Sequence, residues 1–171
     1  MNTTELEKCI ETYGNDIYAF CVHLAYSQQE AEELYQDTFL KAMELLSGIE
    51  AENNPKSYLL SITIRLWKNQ KRKYAWRNRI AGFSSLEEET QEAWDVNGNT
   101  LEEEVLKKEQ IRQLRQAVKK LDYKYRMPVY LYYMEEIPIA GISKILKLPK
   151  GTVKSRLYKA REILKKQLAA E

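Results

Sequence analysis

The chain has 171 residues, of which 44% are hydrophobic and 30% charged, a composition that suits one full-sized globular domain or two small ones. One histidine, two cysteines without Cys-x-x-Cys spacing and six isolated glycines exclude His-pair zinc motifs, disulfide scaffolds and Gly-rich phosphate loops. With no apolar run near the ~18 residues of a membrane span and no secretory signal pattern, we expect a cytoplasmic protein without membrane insertion, cofactor or metal.

The net charge of +2 conceals four blocks of alternating sign. Residues 1–54 carry a net charge of −9, residues 55–80 of +8, residues 81–110 of −7 and residues 111–171 of +10. Two separate basic blocks indicate two contacts with a polyanion. For either block taken alone, a solvated helix face is an equally good interpretation.

Apolar residues recur at steps of three or four along the first half of the chain, which predicts three helices. Thr4 and Glu7 form the expected capping box of the first helix, and Ser27 and Glu30 that of the second. Asn54-Pro55 is a favourable start for the third helix, which runs into the first basic block. The apolar stripe of the first helix consists of Leu6, Ile10, Tyr13, Ile17, Phe20 and Leu24.

Residues 81–100 have no period and combine single glycines with runs of glutamate, which predicts a flexible acidic linker. Thr100 is the expected cap of the next helix, and a short tyrosine-rich helix from about Tyr123 to Glu135 follows. The stripe of the helix after the linker consists of Leu101, Val105, Ile111, Leu114, Val118 and Leu121. The sequence therefore predicts an all-α fold with two small helical domains, residues 1–80 and 101–171.

Residues 138–168 have the layout of a helix-turn-helix: a short helix, a turn at 147–149 and a longer basic helix. Its polar and basic residues would point away from the core, near the helix N-terminus, where such proteins reach base edges and phosphates. A plain amphipathic basic helix is the alternative. The polar turn, the short partner helix and the Gly151-Thr152 start favour DNA binding.

Three segments resemble one known family. Residues 151–157, Gly-Thr-Val-Lys-Ser-Arg-Leu, closely resemble the recognition-helix start of bacterial sigma factors of the extracytoplasmic-function (ECF) group. Residues 31–42 are similar to that group's polymerase-clamp-binding helix, and residues 55–62 to the start of its promoter-melting helix. The three motifs follow one another in the family's order and at its separations.

The resemblance implies a promoter-specificity subunit of RNA polymerase, with core polymerase and promoter DNA as partners and no catalytic residues. It also allows for an anti-sigma factor as a partner. The implied core-polymerase contacts are Glu33, Gln36, Asp37, Phe39 and Leu40. The implied −10 DNA contacts are Asn53, Asn54, Lys56, Ser57, Arg65, Lys68, Asn69 and Arg72. The implied −35 DNA contacts are Lys150, Thr152, Val153, Lys154, Ser155, Arg156 and Lys159.

The chain departs from the family pattern at several positions. Arg65 stands where an asparagine is common, which leaves base preference at the −10 element open. In the helix-turn-helix, residues 141–143 read Gly-Ile-Ser in place of Glu-Ile-Ala, and Lys147 replaces the turn glycine. A non-glycine residue at positive φ costs about 1 kcal/mol, which suggests a less stable second domain.

Two other functions remain open from the residues alone. A free-standing dimeric helix-turn-helix regulator would explain residues 138–168 but leave the 31–42 and 55–80 segments unused. A helical enzyme or adaptor could use acidic clusters such as residues 87–89, although no carboxylate pair, histidine or nucleophile has a supporting partner. Trp67, Tyr74 and Trp76 alternate with cations in a pattern that suits single-stranded DNA, with core packing an equal alternative for Trp67.

Overall fold

The computed structural model of the chain describes residues 1–48, 54–81 and 102–170, and these ranges contain helices and connections but no strand. Contacts divide the chain into two units, Met1–Gln91 and Glu92–Glu171. The all-α prediction is confirmed for the described residues. The predicted linker at 81–100 lies outside them, except for Ala81, which ends a helix.

The first unit contains α1 (Thr3–Leu24), α2 (Gln28–Glu44), a 3₁₀ turn (Leu46–Gly48) and α3 (Pro55–Ala81). The three helices pack against one another pairwise. Their fully buried side chains include Ile17, Phe20, Leu34, Leu59 and Leu60. Because each helix contributes to this core, the outer faces of α2 and α3 are held at a fixed distance and angle.

The start of α1 differs from the predicted one. Asn2 is the N-cap: its Oδ1 accepts from the Glu5 N–H at 2.8 Å, and the Glu5 carboxylate accepts from the Asn2 N–H at 2.9 Å. Asparagine caps as well as threonine and has a glutamate three residues on, so the box predicted at Thr4 and Glu7 forms two residues earlier. The Ser27 cap of α2 is confirmed.

Trp67 belongs to the core of the first unit and fastens α3 to the end of α1. Its ring is 5% exposed, and its Nε1 donates to the Leu24 carbonyl at 3.0 Å. Lys71 Nζ lies 4.6 Å from the ring centres of both Trp67 and Tyr26 and donates to Tyr26 Oη at 2.7 Å. Core packing is therefore the correct interpretation for Trp67.

The second unit contains α4 (Glu102–Lys120), α5 (Tyr123–Val129), a π-helical turn (Tyr130–Met134), α6 (Ile139–Leu146) and α7 (Lys150–Ala169). α7 packs against α4, α5 and α6. Its core includes the fully buried Met127, Leu131, Ile142, Val153 and Leu157. The helix-turn-helix prediction is confirmed, with α6 and α7 joined across residues 147–149.

Two predictions for this unit need correction. The helix expected to reach Glu135 widens at Tyr130 into the π-helical turn, in which the Glu135 N–H bonds back to the Tyr130 carbonyl. Among the described residues of the predicted stripe, only Val118 and Leu121 are buried, and Leu121 follows the end of α4, whereas Val105 is 62% exposed. Thr100 and Leu101, the expected start of that helix, lie outside the described residues.

Candidate polymerase and nucleic-acid interfaces

The outward face of α2 combines acidic, amide and apolar side chains. Glu33, Gln36, Asp37 and Leu40 are all exposed, at helical steps of three, one and three residues that place them on one side. Met43, which the sequence analysis missed, extends this face by one turn and is 51% exposed. An acidic rim around exposed apolar groups suits a protein partner with basic residues and suits DNA poorly.

Phe39 does not lie on this face. It is 8% exposed, and its ring packs edge-on against Tyr35 with ring centres 4.9 Å apart. Tyr35 packs in the same manner on Tyr18 of α1 at 5.6 Å. The prediction that Phe39 contacts a partner directly is therefore wrong, since its side chain lies on the inner side of α2 beside Thr38 and supports the helix from within.

The outward face of α3 is basic. Arg65, Asn69 and Arg72 follow at steps of four and three, and all three are exposed. Lys68 is half-buried beside them, and burial lowers the pKa of its ammonium group, with the nearby Arg72 charge lowering it further. The described part of α3 contains no acidic residue, so this face offers a continuous positive field to a polyanion.

The segment around the start of α3 is less uniform than predicted. Asn54 is exposed and Ser57 half-buried, while Asn53 lies outside the described residues. The Lys56 side chain is only 17% exposed, and its Nζ lies 3.3 Å from Asp16 Oδ2. This ion pair ties the start of α3 to α1, so the structure gives the Lys56 charge a partner within the protein.

The turn between α6 and α7 is closed by Ser143. Its carbonyl accepts from the N–H groups of Lys147 and Leu148, and its Oγ donates to the Leu148 carbonyl. Lys147 has φ 55° and ψ 47°, the left-handed conformation expected of the family's turn glycine. A serine in place of the usual alanine thus adds a hydrogen bond where a lysine replaces glycine.

Gly141 is required by packing in the middle of α6. A Cβ at this position would lie 2.7 Å from Ile137 Cγ2, closer than real Cβ contacts. Ile137 is itself buried at 3% exposure and cannot move aside freely. The departure from the family's Glu-Ile-Ala pattern therefore has a steric basis.

The N-terminal half of α7 presents the predicted DNA-contacting residues. Lys150, Lys154 and Lys159 are exposed, as is Ser155, whose Oγ donates to the Thr152 carbonyl at 3.0 Å. Thr152 and Arg156 are half-buried at the edge of this face.

Val153 is a correction to the predicted DNA contacts. Its side chain is 0% exposed, because it lies on the inner stripe of α7 with Leu157 and Ala160. It therefore packs in the core of the second unit and cannot reach DNA. The spacing of three and four residues along the inner stripe already indicated this position.

Arg156 lies where α5 packs against α7. Burial raises the pKa of Tyr123 to about 12, and the positive charges of Arg126 and Arg156 oppose part of that rise. The charge of Arg156 therefore favours the ionised form of Tyr123, a residue of α5.

Sequence reasoning missed Tyr158. It stands one turn beyond Lys154 on the outward side of α7 and is 65% exposed. Arg161, on the same side, places its guanidinium 6.0 Å from the ring centre of Tyr133. Helical spacing from Lys154 was the signal that could have identified Tyr158.

Among the described residues, no helix has the length and apolar character needed to cross a membrane.

Two family descriptions match the chain, each within one unit. Residues 9–77 match Sigma-70 region 2, and residues 111–164 match Sigma-70 region 4. Among curated proteins, the chain is 30% identical to the ECF RNA polymerase sigma factor SigW of Bacillus subtilis over 163 residues, covering 93% of this chain and 86% of the relative. It is 26% identical to the RNA polymerase sigma factor SigV of the same organism, covering 97% of this chain and 92% of that one.

Solved structures share the fold. The sigma factor RpoE of Bartonella quintana, crystallised with the anti-sigma factor NepR, superimposes with a TM-score of 0.83 at 21% identity, covering 99% of both chains. CnrH, solved in complex with the cytosolic domain of CnrY, gives a TM-score of 0.69 at 15% identity, covering 99% of this chain and 91% of that one.

Proposed function

The chain belongs to the ECF group of RNA polymerase sigma factors, which direct transcription initiation at promoters, and we propose that three of its helix faces divide this task. The observation that carries the proposal is that the three helix faces differ in charge and polarity. The outward face of α2 is acidic and apolar, whereas the outward faces of α3 and α7 are basic. A protein partner and a polyanion need opposite surfaces.

In this proposal, α2 holds core polymerase through Glu33, Gln36, Asp37 and Leu40. Leu40, 58% exposed, supplies apolar area, and the surrounding carboxylates and amide set the register against basic groups of the partner. Phe39 takes part only by supporting α2 from below.

The face of α3 and the segment before it engage the −10 element and help to open it. Arg65 and Arg72 meet phosphates, and Asn69 between them can bond to a base edge. Asn53, Asn54 and Ser57 precede this face and supply neutral donors and acceptors. Lys68, with its lowered ammonium pKa, contributes beside Arg72. Lys56 serves first as an anchor to Asp16.

The face of α7 reads the −35 element. Lys150, Lys154 and Lys159 bind phosphates, since lysine acts as a flexible point charge. Thr152, Ser155 and Arg156 lie close to the helix N-terminus, where a recognition helix approaches base edges. Tyr158, 65% exposed, adds an aromatic contact on the same side.

The protein acts in the cytoplasm beside the polymerase and contributes no catalytic group of its own. An anti-sigma factor is a proposed further partner, since RpoE was crystallised with one. A free-standing dimeric regulator is not favoured, because it leaves the match of residues 9–77 to Sigma-70 region 2 without a purpose.

Reconstituted transcription tests the proposal. The full-length protein, added to core polymerase, should start transcription at a defined promoter, and scrambling either the −10 or the −35 element should abolish the transcript. Arg72→Ala should weaken use of the −10 element, and Lys154→Ala that of the −35 element. Full transcription from a template lacking both elements would contradict the assignment.

A further inference from the structure

The last two turns of α3 expose apolar side chains that the proposed interfaces leave unused. Trp76 is 65% exposed and Ile80 is 67% exposed, and the two stand four residues apart on one face. A tryptophan can bury 150–250 Å² of surface, so leaving one in water beside an isoleucine forgoes a large stabilisation. Both side chains are therefore available to a ligand that binds along α3.

Trp76 lies in line with the basic face of α3. Counting from Arg65, steps of four, three and four residues lead through Asn69 and Arg72 to Trp76, so the four side chains share one side of the helix. At 1.5 Å per residue, the row spans about 16 Å, or about five nucleotide steps. A nucleic acid that follows the row from Arg65 to Arg72 therefore reaches Trp76.

The charge around Trp76 selects the class of partner. Residues 72–79 contain four cations and no carboxylate: Arg72, Lys73, Arg77 and Arg79. A second copy of this chain that docked through the same face would bring the same four charges and be repelled. A nucleic acid offers phosphates for the cations and a flat π-face for the indole ring, and both requirements are met in one ligand.

We propose that Trp76 stacks on a nucleobase of the opened promoter strand, with Arg72 and Arg77 on the phosphates at either side. The inference rests on the proposed role of α3 and adds to it a stacking site one turn beyond Arg72. The opened strand is required because a ring can stack only on a base whose face is free, and in an intact duplex neighbouring base pairs stack on one another and cover those faces.

The test uses holoenzyme assembled from core polymerase and the full-length protein. Binding is measured to labelled promoter DNA in two forms, fully duplex and with an unpaired −10 region. Trp76→Ala should weaken binding to the unpaired form about tenfold, while Trp76→Phe stays within about threefold because a ring remains. Tyr74→Ala is the matched control: Tyr74 is 49% exposed but points to the opposite side of α3, so it should change affinity less than about twofold.

A fluorescent base analogue placed at single positions of the unpaired strand identifies the stacked base. Stacking should quench one position, and Trp76→Ala should restore its fluorescence. Unchanged affinity for the unpaired form, or an equal loss with both DNA forms, would overturn the proposal. So would a loss of core-polymerase affinity, which would assign the face to a protein.

Arg72→Ala, measured in parallel, distinguishes a failure of the stacking site from a failure of the proposed role of α3. If Arg72→Ala weakens binding to the unpaired form and Trp76→Ala does not, the stacking site is wrong and the role of α3 stands. If neither variant weakens it, the assignment of α3 to the −10 element falls as well.

Discussion

The first unit begins α1 and α2 at side-chain caps, Asn2 and Ser27, and its described backbone has no non-glycine residue at positive φ. In the second unit, α5, α6 and α7 begin without a side-chain cap hydrogen bond. Glu136, three residues before α6, and Lys147, directly after it, both have φ 55°. Local preference and fold agree in the first unit, whereas packing overrides local preference around α6.

This difference between the units predicts how substitutions in each of them will act. In the first unit, most of the proposed contacts are exposed side chains outside the helical core. In the second unit, the turn between α6 and α7 depends on Lys147, and the entry of the chain into α6 depends on the close approach of Gly141 to Ile137. We therefore expect surface substitutions in the first unit to change binding alone, and substitutions around α6 to change stability.

The largest effect is expected from Asp37→Lys. Reversing a charge at a close interfacial contact should cost several kcal/mol of core-polymerase affinity without changing the melting temperature. Glu11→Lys, the same reversal at an exposed position of α1, is the matched control. Competition for core polymerase against another sigma factor measures both. Equal affinities for the two variants would remove α2 from the interface.

Gly141→Ala should destabilise the second unit by about 1–3 kcal/mol, because the added methyl overpacks against Ile137. Gly151→Ala makes the same substitution in α7, where no atom lies within 4 Å of the new Cβ, and should leave stability equal or higher. Hydrogen exchange of α6 and α7 in the full-length protein reports each change. Equal protection in the two variants would show that α6 is not sterically constrained.

Arg156→Ala should weaken −35 binding by about 1–3 kcal/mol if the guanidinium reads a base. Lys166→Ala, exposed near the end of α7, is the control and should change binding less. The assay is promoter binding by holoenzyme at limiting concentration, with and without the −35 element. A loss that persists when the element is scrambled would reduce Arg156 to a general phosphate contact or a support for α5.

The smallest effect is expected at the left-handed residues. Lys147→Gly and Glu136→Gly should each stabilise the second unit by about 1 kcal/mol, because glycine adopts positive φ without steric cost. Lys144→Gly, within α6, should instead destabilise it by about 1 kcal/mol. Chemical denaturation, monitored by hydrogen exchange, shows whether each variant raises or lowers the stability of the second unit. Destabilisation by Lys147→Gly would mean that the Lys147 side chain contributes more stability than its left-handed backbone conformation costs.

Most helix limits could be predicted from spacing and caps, as at Ser27, Pro55 and Lys150. The cap of α1 was misplaced because Asn2 and Thr4 are chemically equivalent candidates and only packing selects between them. The π-helical turn at Tyr130 could not be predicted from the sequence. It differs from an α-helix only in which carbonyl accepts each backbone hydrogen bond, and residue spacing does not show this. Phe39 and Val153 were carried over with their motifs, although the burial of each follows from the inner stripe of its own helix.

Position-specific photocrosslinking in the complete holoenzyme–promoter complex tests the division of labour most directly. A photoreactive residue at position 40 should crosslink to a core polymerase subunit, one at position 69 to the −10 element and one at position 155 to the −35 element. A crosslink from position 155 to the −10 element, or from position 40 to DNA, would contradict the assignment of the three helix faces.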